Sequence, residues 1–152
     1  MDSLGQEAYI FGSLFALANR VQLLGDQAYP ELSTKQWLLI AMISKCENGA
    51  PTITEISRLI GSSHQNVRKM AAILEKRGFI QINRDEKDAR ALRVVLSEKC
   101  KEYFKGREQT ELEFLKRLFA DFSADQICAF YSGMQKMAEN VSKMEREHEK
   151  RR

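Results

Sequence analysis

The sequence predicts a mainly α-helical protein that contains one small β-hairpin. Apolar residues recur at three- and four-residue steps through most of the chain, which is the period of an amphipathic helix. Hydroxyl residues followed three positions later by Gln or Glu mark the starts of several of these segments. The period changes to that of a strand only between Phe79 and Leu96, and just two prolines interrupt the chain.

The first helix is indicated by a run of apolar residues at helical spacing, namely Ile10, Leu14, Leu17, Val21 and Leu24. Phe11, Phe15 and Ala18 widen this stripe, as is typical of a helix that packs against more than one neighbour. Gly25 and Asp26 are expected to end the helix.

Four later helix starts carry the pattern of a capping box, in which a hydroxyl side chain and a Gln or Glu side chain cap each other's backbone. These pairs are Ser33 with Gln36, Thr52 with Glu55, Ser62 with Gln65, and Ser123 with Gln126. Each pair opens a segment with helical periodicity, so together they predict the layout of the helices.

Two short helices with a tight junction are predicted in the middle of the chain. The first runs from Thr52 to Ile60 and stops at Gly61, and the second runs from about Ser63 to Arg77. Gly78 suits the left-handed position that follows a helix. Two such helices joined by a Gly-Ser turn are typical of a helix-turn-helix.

A β-hairpin follows directly. Residues 79–84 and 91–96 read as its strands, and Leu92, Val94 and Leu96 share one face. The segment 85–90 between them is too highly charged to be buried. The sequence therefore predicts a winged helix-turn-helix, in which the wing is a hairpin with a solvated tip.

The chain then returns to helix. One long segment is predicted from Ser97 to about Asp121, and a last helix begins at Ser123 with apolar residues at the spacing of a helix-pair seam. The charged tail from Glu145 to Arg152 is expected to fray.

Charge and side-chain chemistry point to DNA as the partner of this region. Nine basic and five acidic residues lie between Pro51 and Leu96, so the positive excess is concentrated there. Val67, Met70, Ala71 and Leu74 should face the core, which leaves a polar N-terminal half of this helix exposed: Ser63, His64, Gln65, Asn66, Arg68 and Lys69. Arg can bind guanine, and Gln or Asn can bind adenine, through two hydrogen bonds. The alternative is that Ser62 and Gln65 only cap the helix while Arg68 and Lys69 form an ordinary solvated face.

The wing adds Arg84, Lys87 and Arg90 near its tip. Arginine is favoured in a narrow minor groove, and Asp88 is expected to pair with Arg90 and to hold its guanidinium in one orientation. The alternative is a solubilising hairpin, because the acidic residues of the tip cancel much of its positive charge.

Two segments resemble the MarR (multiple-antibiotic-resistance regulator) family. Residues 84–97, RDEKDARALRVVLS, resemble the family's wing signature, and residues 74–80, LEKRGFI, resemble its junction between recognition helix and wing. The likeness extends over nearly the whole chain. Ala91 replaces the usual Ser or Thr, and Cys100 stands where a glycine is common, but neither change threatens the fold.

The lack of a signal-peptide pattern and of a membrane-spanning apolar run predicts a cytoplasmic chain, and the resemblance implies a bacterial regulator, most often a repressor that loses DNA affinity when a small molecule binds or an oxidant reacts. It implies a homodimer on double-stranded DNA with a near-palindromic operator, whose half-sites are about 10 base pairs apart. The chain would be a single domain over 1–152, with a DNA-binding lobe at 33–96 and dimerisation helices at 4–28 and 97–148. Repression and activation both stay open, because that choice depends on where the operator lies.

Two sensors are considered. The resemblance implies a ligand pocket between the dimer-forming helices and the DNA-binding lobe, whose walls would include Phe11, Phe15, Trp37, Leu38 and Met42 and would suit an aromatic or lipophilic effector. The alternative, which apolar stripes at helical spacing favour, is that these residues form an ordinary core. Among the three cysteines, Cys100 is the best redox candidate because Lys99 and Lys101 flank it; Cys46 and Cys128 are typical of core or interface residues.

Other function classes lack their motifs. The sequence has no Gly-rich phosphate loop, no nucleophile elbow and only two histidines, so we expect no enzyme, no cofactor and no metal site. The longest apolar run, Trp37 to Ile43, is too short to cross a bilayer, and the N-terminus does not resemble a signal peptide. The main alternative is a winged-helix module that binds protein and not DNA, which should carry apolar residues on the exposed helix face.

Overall fold

The computed structural model describes residues 2–46, 49–85 and 90–151. Its helices and strands are α1 (Ser3–Ala28), α2 (Thr34–Ser44), α3 (Ile53–Leu59), α4 (His64–Lys76), β1 (Ile80–Arg84), β2 (Leu92–Leu96), α5 (Glu98–Lys105), α6 (Glu108–Leu118) and α7 (Ala124–Lys150). The prediction of a mainly helical protein with one hairpin is confirmed. Residues 1–105 and 106–152 form two compact units. The functional boundaries 33–96, 4–28 and 97–148 stay predictions.

Three of the four predicted capping boxes are confirmed by hydrogen bonds in both directions. Ser33 Oγ accepts from the Gln36 backbone N–H at 3.3 Å, and Gln36 Oε1 accepts from the Ser33 N–H at 3.1 Å. The same reciprocal bonds open α3 at Thr52 and α7 at Ser123. The box predicted at Ser62 is wrong, because the helix begins one residue later.

The core of the first unit lies where α2, α3, α4, the hairpin and the start of α5 meet. Its fully buried side chains are Leu39, Ile53, Ile56, Val67, Leu74, Ile80, Val94 and Cys100. On α4, Val67, Ala71 and Leu74 are buried and Met70 is half-buried, as the helical period predicts. This packing leaves the opposite face of α4 in solvent.

Strands β1 and β2 pair antiparallel, from Ile80 opposite Leu96 to Arg84 opposite Leu92. The predicted inner face is confirmed, since Val94 is buried and Leu92 and Leu96 pack against the core. The Val94 N–H also donates to the Pro51 carbonyl at 2.9 Å, which joins the hairpin to the segment before α3.

Helix α1 continues to Ala28, so the expectation that Gly25 ends it is wrong. Gly25 is the buried residue of this helix, and a Cβ there would lie 2.4 Å from Thr34 Oγ1. The glycine therefore allows close approach of α1 to the start of α2, and its role is in packing.

Two predictions for the C-terminal half are also wrong. The segment predicted as one helix from Ser97 to Asp121 is two helices, α5 and α6, with Gly106 and Arg107 between them. Glycine costs about 1 kcal/mol in a helix interior, which favours a break at Gly106. The tail expected to fray from Glu145 is helical to Lys150; Arg146 and Glu149, like Glu147 and Lys150, place opposite charges at the three-residue spacing that favours a helix.

Candidate nucleic-acid interface

Helix α4 presents the predicted polar residues to solvent. Ser63, which precedes the helix, is exposed, as are His64, Gln65, Asn66, Arg68 and Lys69. Successive residues of a helix turn by about 100°, so Gln65 and Lys69 lie opposite the buried Val67. Arg68 lies on one flank of this face and Asn66 on the other. The helix therefore offers two amides and two cations in one exposed patch.

The N-terminus of α4 is capped by Ser63 and not by Ser62. Ser63 Oγ accepts from the Asn66 backbone N–H at 3.2 Å. This cap is one residue beyond the predicted one, so the pairing of Ser62 with Gln65 is wrong. Gln65 is therefore not the partner in a capping box, which was the alternative to its predicted role in DNA binding.

The turn before α4 fixes how the helix leaves the lobe. Gly61 has φ +63°, a left-handed conformation that favours glycine, and the Ser62 N–H donates to the Ser57 carbonyl at 3.0 Å. At the other end, the Ile82 N–H donates to Glu75 Oε1 at 2.9 Å. Helix α4 is thus connected by hydrogen bonds to α3 and to β1, which gives its exposed face a defined orientation.

Two of the predicted wing residues lie at the ends of the described hairpin. Arg84 closes β1 and Arg90 begins the return to β2, and both are exposed. Lys87 and Asp88 lie outside the described residues, and so does the predicted pairing of Asp88 with Arg90.

The base of the wing holds an ion pair that sequence reasoning missed. Arg93 Nε donates to Asp85 Oδ2, and Arg93 Nη1 donates to the Ala50 carbonyl at 2.6 Å. The hydrogen bond to Asp85 raises the pKa of the Arg93 guanidinium further above its ordinary value. An available signal was that Arg93 is the one charged residue in the otherwise apolar strand β2, Leu92–Leu96.

The five residues predicted for an effector pocket lie on two helices of the first unit. Phe11 and Phe15 are exposed on α1, with ring centroids 5.2 Å apart in an edge-to-face arrangement. Trp37 is 39% exposed on α2, and Leu38 and Met42 of the same helix are half-buried. The pocket and the alternative of an ordinary core both stay predictions.

The structure contradicts the basis on which Cys100 was chosen as a redox candidate. Its side chain is buried in the core, with 1% of the residue exposed. Desolvation by this burial raises the pKa of the thiol to about 11, so the reactive thiolate is scarce at neutral pH. The flanking lysines are engaged elsewhere, since Lys99 Nζ donates to the Arg77 carbonyl at 2.7 Å and Lys101 Nζ donates to Glu98 Oε1 at 2.5 Å, while the thiol lies in the core. Cys46 is half-buried and Cys128 is exposed.

Among the described residues, no group of three or more His, Cys, Asp or Glu side chains is arranged to hold a metal ion. Within the same ranges, no helix is both long and apolar enough to span a membrane.

Residues 31–91 match the MarR family. The chain is 27% identical over 104 residues to YfiV, an HTH-type transcriptional regulator of Bacillus subtilis, in a match covering 68% of this chain. That match spans 64% of YfiV, slightly less than two thirds of its length. This chain is also 29% identical over 131 residues to the transcriptional repressor MprA of Escherichia coli, in a match that covers 86% of this chain and 73% of MprA.

A solved complex shows the same fold in a protein bound to DNA. The structure of S. aureus MepR with DNA has a TM-score of 0.72 to this chain at 16% identity, covering 86% of this chain and 97% of that one. Together these comparisons confirm the resemblance to the MarR family that the wing segment indicated.

Proposed function

We propose that this chain is a transcriptional regulator of the MarR family that binds a specific DNA sequence as a homodimer and represses transcription there. The observation that carries the proposal is the exposed face of α4, whose cap, preceding turn and link to β1 fix its orientation. A winged helix that binds protein should present apolar side chains on this face, whereas Gln65, Asn66, Arg68 and Lys69 are exposed. Repression is the action that the name of MprA states for that relative.

Roles for the individual side chains follow from their chemistry. Gln65 and Asn66 each carry an amide that can form two hydrogen bonds with adenine, and Arg68 can do the same with guanine. Lys69 presents a point charge suited to backbone phosphate. His64 and Ser63 complete the surface that would enter the major groove, while Arg84, Arg90 and Lys87 would reach the neighbouring minor groove.

A homodimer is supported by apolar side chains that a single chain leaves in solvent. On α1 these include Tyr9, Phe11, Phe15 and Leu24, and on α7 they include Phe130, Tyr131, Met134 and Met144. Exposed apolar faces of this extent mark surfaces that are covered by a partner. We assign the segments 4–28 and 97–148 to dimerisation, which would place two copies of α4 in successive major grooves about 10 base pairs apart.

Control by a small molecule forms the last part of the proposal. Phe11, Phe15, Trp37, Leu38 and Met42 offer aromatic and thioether surface suited to an aromatic or lipophilic effector. Release by oxidation of Cys100 is not proposed, because its thiol is buried. A protein that regulates bacterial transcription would act in the cytoplasm, where the DNA is.

Selection of random duplex DNA by the purified protein, followed by sequencing of the bound pool, tests the proposal. We expect enrichment of an inverted repeat with half-sites about one helical turn apart. A pool carried through the same cycles without protein is the control, and sedimentation of the protein establishes the dimer independently. A folded, dimeric protein that enriches no motif at moderate salt would contradict the proposal and favour a protein-binding role.

A further inference from the structure

We infer that Lys35, near the N-terminus of α2, binds a DNA backbone phosphate in a cleft beside α4. The cleft has a volume of about 500 Å³, and its polar rim is formed by Lys35, Ser62, Asn66 and Lys69. Leu38 and Met70 contribute to its apolar floor. This inference rests on the proposed function, and it adds a contact from outside the helix-turn-helix face that the sequence singled out.

The position of the cleft makes it continuous with the proposed base-reading surface. Asn66 and Lys69 belong to the flank of α4 that faces α2, so they line the cleft and also border the face that carries Gln65. A helix that enters a major groove has a phosphate backbone along each side, and an accompanying helix of the motif crosses that backbone. Lys35 lies across the cleft from the recognition helix, where such a backbone would pass.

The charges at the cleft favour an anion. Lys35 and Lys69 are both exposed and belong to different helices. The positive end of the α2 dipole adds to their field. Asp26 Oδ1 accepts from the Thr34 backbone N–H at 2.6 Å, and this bond, with a smaller contribution from the charge of Lys35, lowers the pKa of the Asp26 carboxyl. That bond fixes the first turn of α2 and so positions the stem of Lys35.

The contact would be made by the ammonium group and not by the backbone of α2. The Thr34 N–H donates to Asp26, and the Gln36 N–H donates to Ser33 Oγ at 3.3 Å. These two amides of the first turn are therefore engaged within the protein. The exposed side chain of Lys35 can extend from that turn to a phosphate.

Salt dependence of DNA binding distinguishes a phosphate contact from a merely solvated lysine. Each phosphate contact contributes about 0.9 to the slope of log affinity against log salt on B-form DNA. Replacing Lys35 in both copies of a dimer should therefore lower the magnitude of the slope by about 2. The loss should be equal for a specific and a scrambled duplex, because phosphates carry no sequence information.

The experiment compares wild type with Lys35→Gln by fluorescence anisotropy over a salt series, using the selected duplex and a scrambled one. Lys150→Gln is the matched control, since it removes one exposed charge from the end of α7, outside the segments assigned to DNA binding and to dimerisation. We expect a shallower slope only for Lys35→Gln, restored by Lys35→Arg, with melting temperatures unchanged. A Lys35→Gln slope equal to that of wild type, or a loss confined to the selected duplex, would overturn the inference. Wild type that binds neither duplex would instead overturn the proposed function, and the inference with it.

Discussion

Arg93 on β2 and Asp85, the residue that follows β1, form a charge-assisted hydrogen bond across the base of the wing. The same guanidinium donates to the Ala50 carbonyl at 2.6 Å, and the Asp85 N–H donates to the Ala91 carbonyl at 3.0 Å. One side chain thus connects both strands of the hairpin to the segment before α3. Arg84 and Arg90, the proposed minor-groove residues, lie just beyond this junction.

Replacing Arg93 should loosen the wing. Arg93→Lys retains the positive charge but loses the planar fork that donates to two acceptors, so it should lower the melting temperature by a few degrees, nearly as much as Arg93→Ala. Both variants should bind all DNA sequences more weakly, because the wing arginines lose their support. Thermal unfolding by circular dichroism and anisotropy measure the two effects. Melting and affinity equal to wild type in both variants would show that the junction does not position the wing.

Gly12 and Gly25 of α1 should respond to alanine in opposite directions. A Cβ at Gly25 would lie 2.4 Å from Thr34 Oγ1, whereas a Cβ at Gly12 meets no atom within 4 Å. Gly25→Ala should cost about 1–3 kcal/mol of unfolding free energy through overpacking. Gly12→Ala should raise it by about 0.5–1 kcal/mol through helix propensity. Urea denaturation measures both values, and equal effects at the two positions would contradict the close approach of α1 and α2.

The start of α4 can be located by stability alone. Ser63→Ala removes the side-chain cap and should lower the unfolding free energy by about 1 kcal/mol. Ser62→Ala is the matched control, and it should change stability by less than half of that. If Ser62→Ala were the more damaging change, the capping box predicted from sequence would be correct and the observed cap wrong.

The buried thiol of Cys100 should make stability depend on alkaline pH. Its pKa is raised by burial from 9.0 to about 11, so the folded protein holds a proton that the unfolded chain releases in that window. The thiol's contribution to stability is therefore fully present below about pH 9 and is lost as pH rises towards about pH 11. The loss should be on the order of 1 kcal/mol by pH 10 and about 3 kcal/mol once the thiol is ionised in both states, since each pKa unit is worth about 1.4 kcal/mol.

Urea denaturation of wild type and Cys100→Ala at pH 7 and pH 10 isolates this effect, because other titrating groups are common to both proteins. Wild type should be the more stable at pH 7, and its advantage should shrink at pH 10. An advantage that is independent of pH would mean that the thiol is accessible to ionisation. That result would restore Cys100 as a redox candidate.

Much of the fold could be predicted because its signals are local. The capping residues Ser33, Thr52 and Ser123 and the inward positions Val67, Ala71 and Leu74 follow from spacing along the chain. The hairpin could be placed for the same reason, since its change of period and its charged tip lie within one short segment.

The errors arose where a contact joins residues distant in sequence. Glycine followed by aspartate, as at Gly25, is typical of a helix end. Only the close approach of Gly25 to Thr34 shows that this glycine serves packing inside a helix that continues. Cys100 has cationic neighbours in sequence, yet the orientation of its side chain towards the core determines its pKa. Arg93 donates to the carbonyl of Ala50, which is 43 positions away in the sequence. The cleft at Lys35 forms only when α2 and α4 pack together.

The central claim, that the exposed face of α4 reads DNA sequence in a dimer, is tested most directly by repeating the random-duplex selection with Gln65→Ala. The account predicts the same inverted repeat with preference relaxed at one position in each half-site, at a cost of about 1–3 kcal/mol for the favoured base. Melting equal to wild type would establish that the variant is folded. An unchanged motif would contradict base reading by Gln65, and a wild-type pool without any inverted repeat would contradict the dimeric reader as a whole.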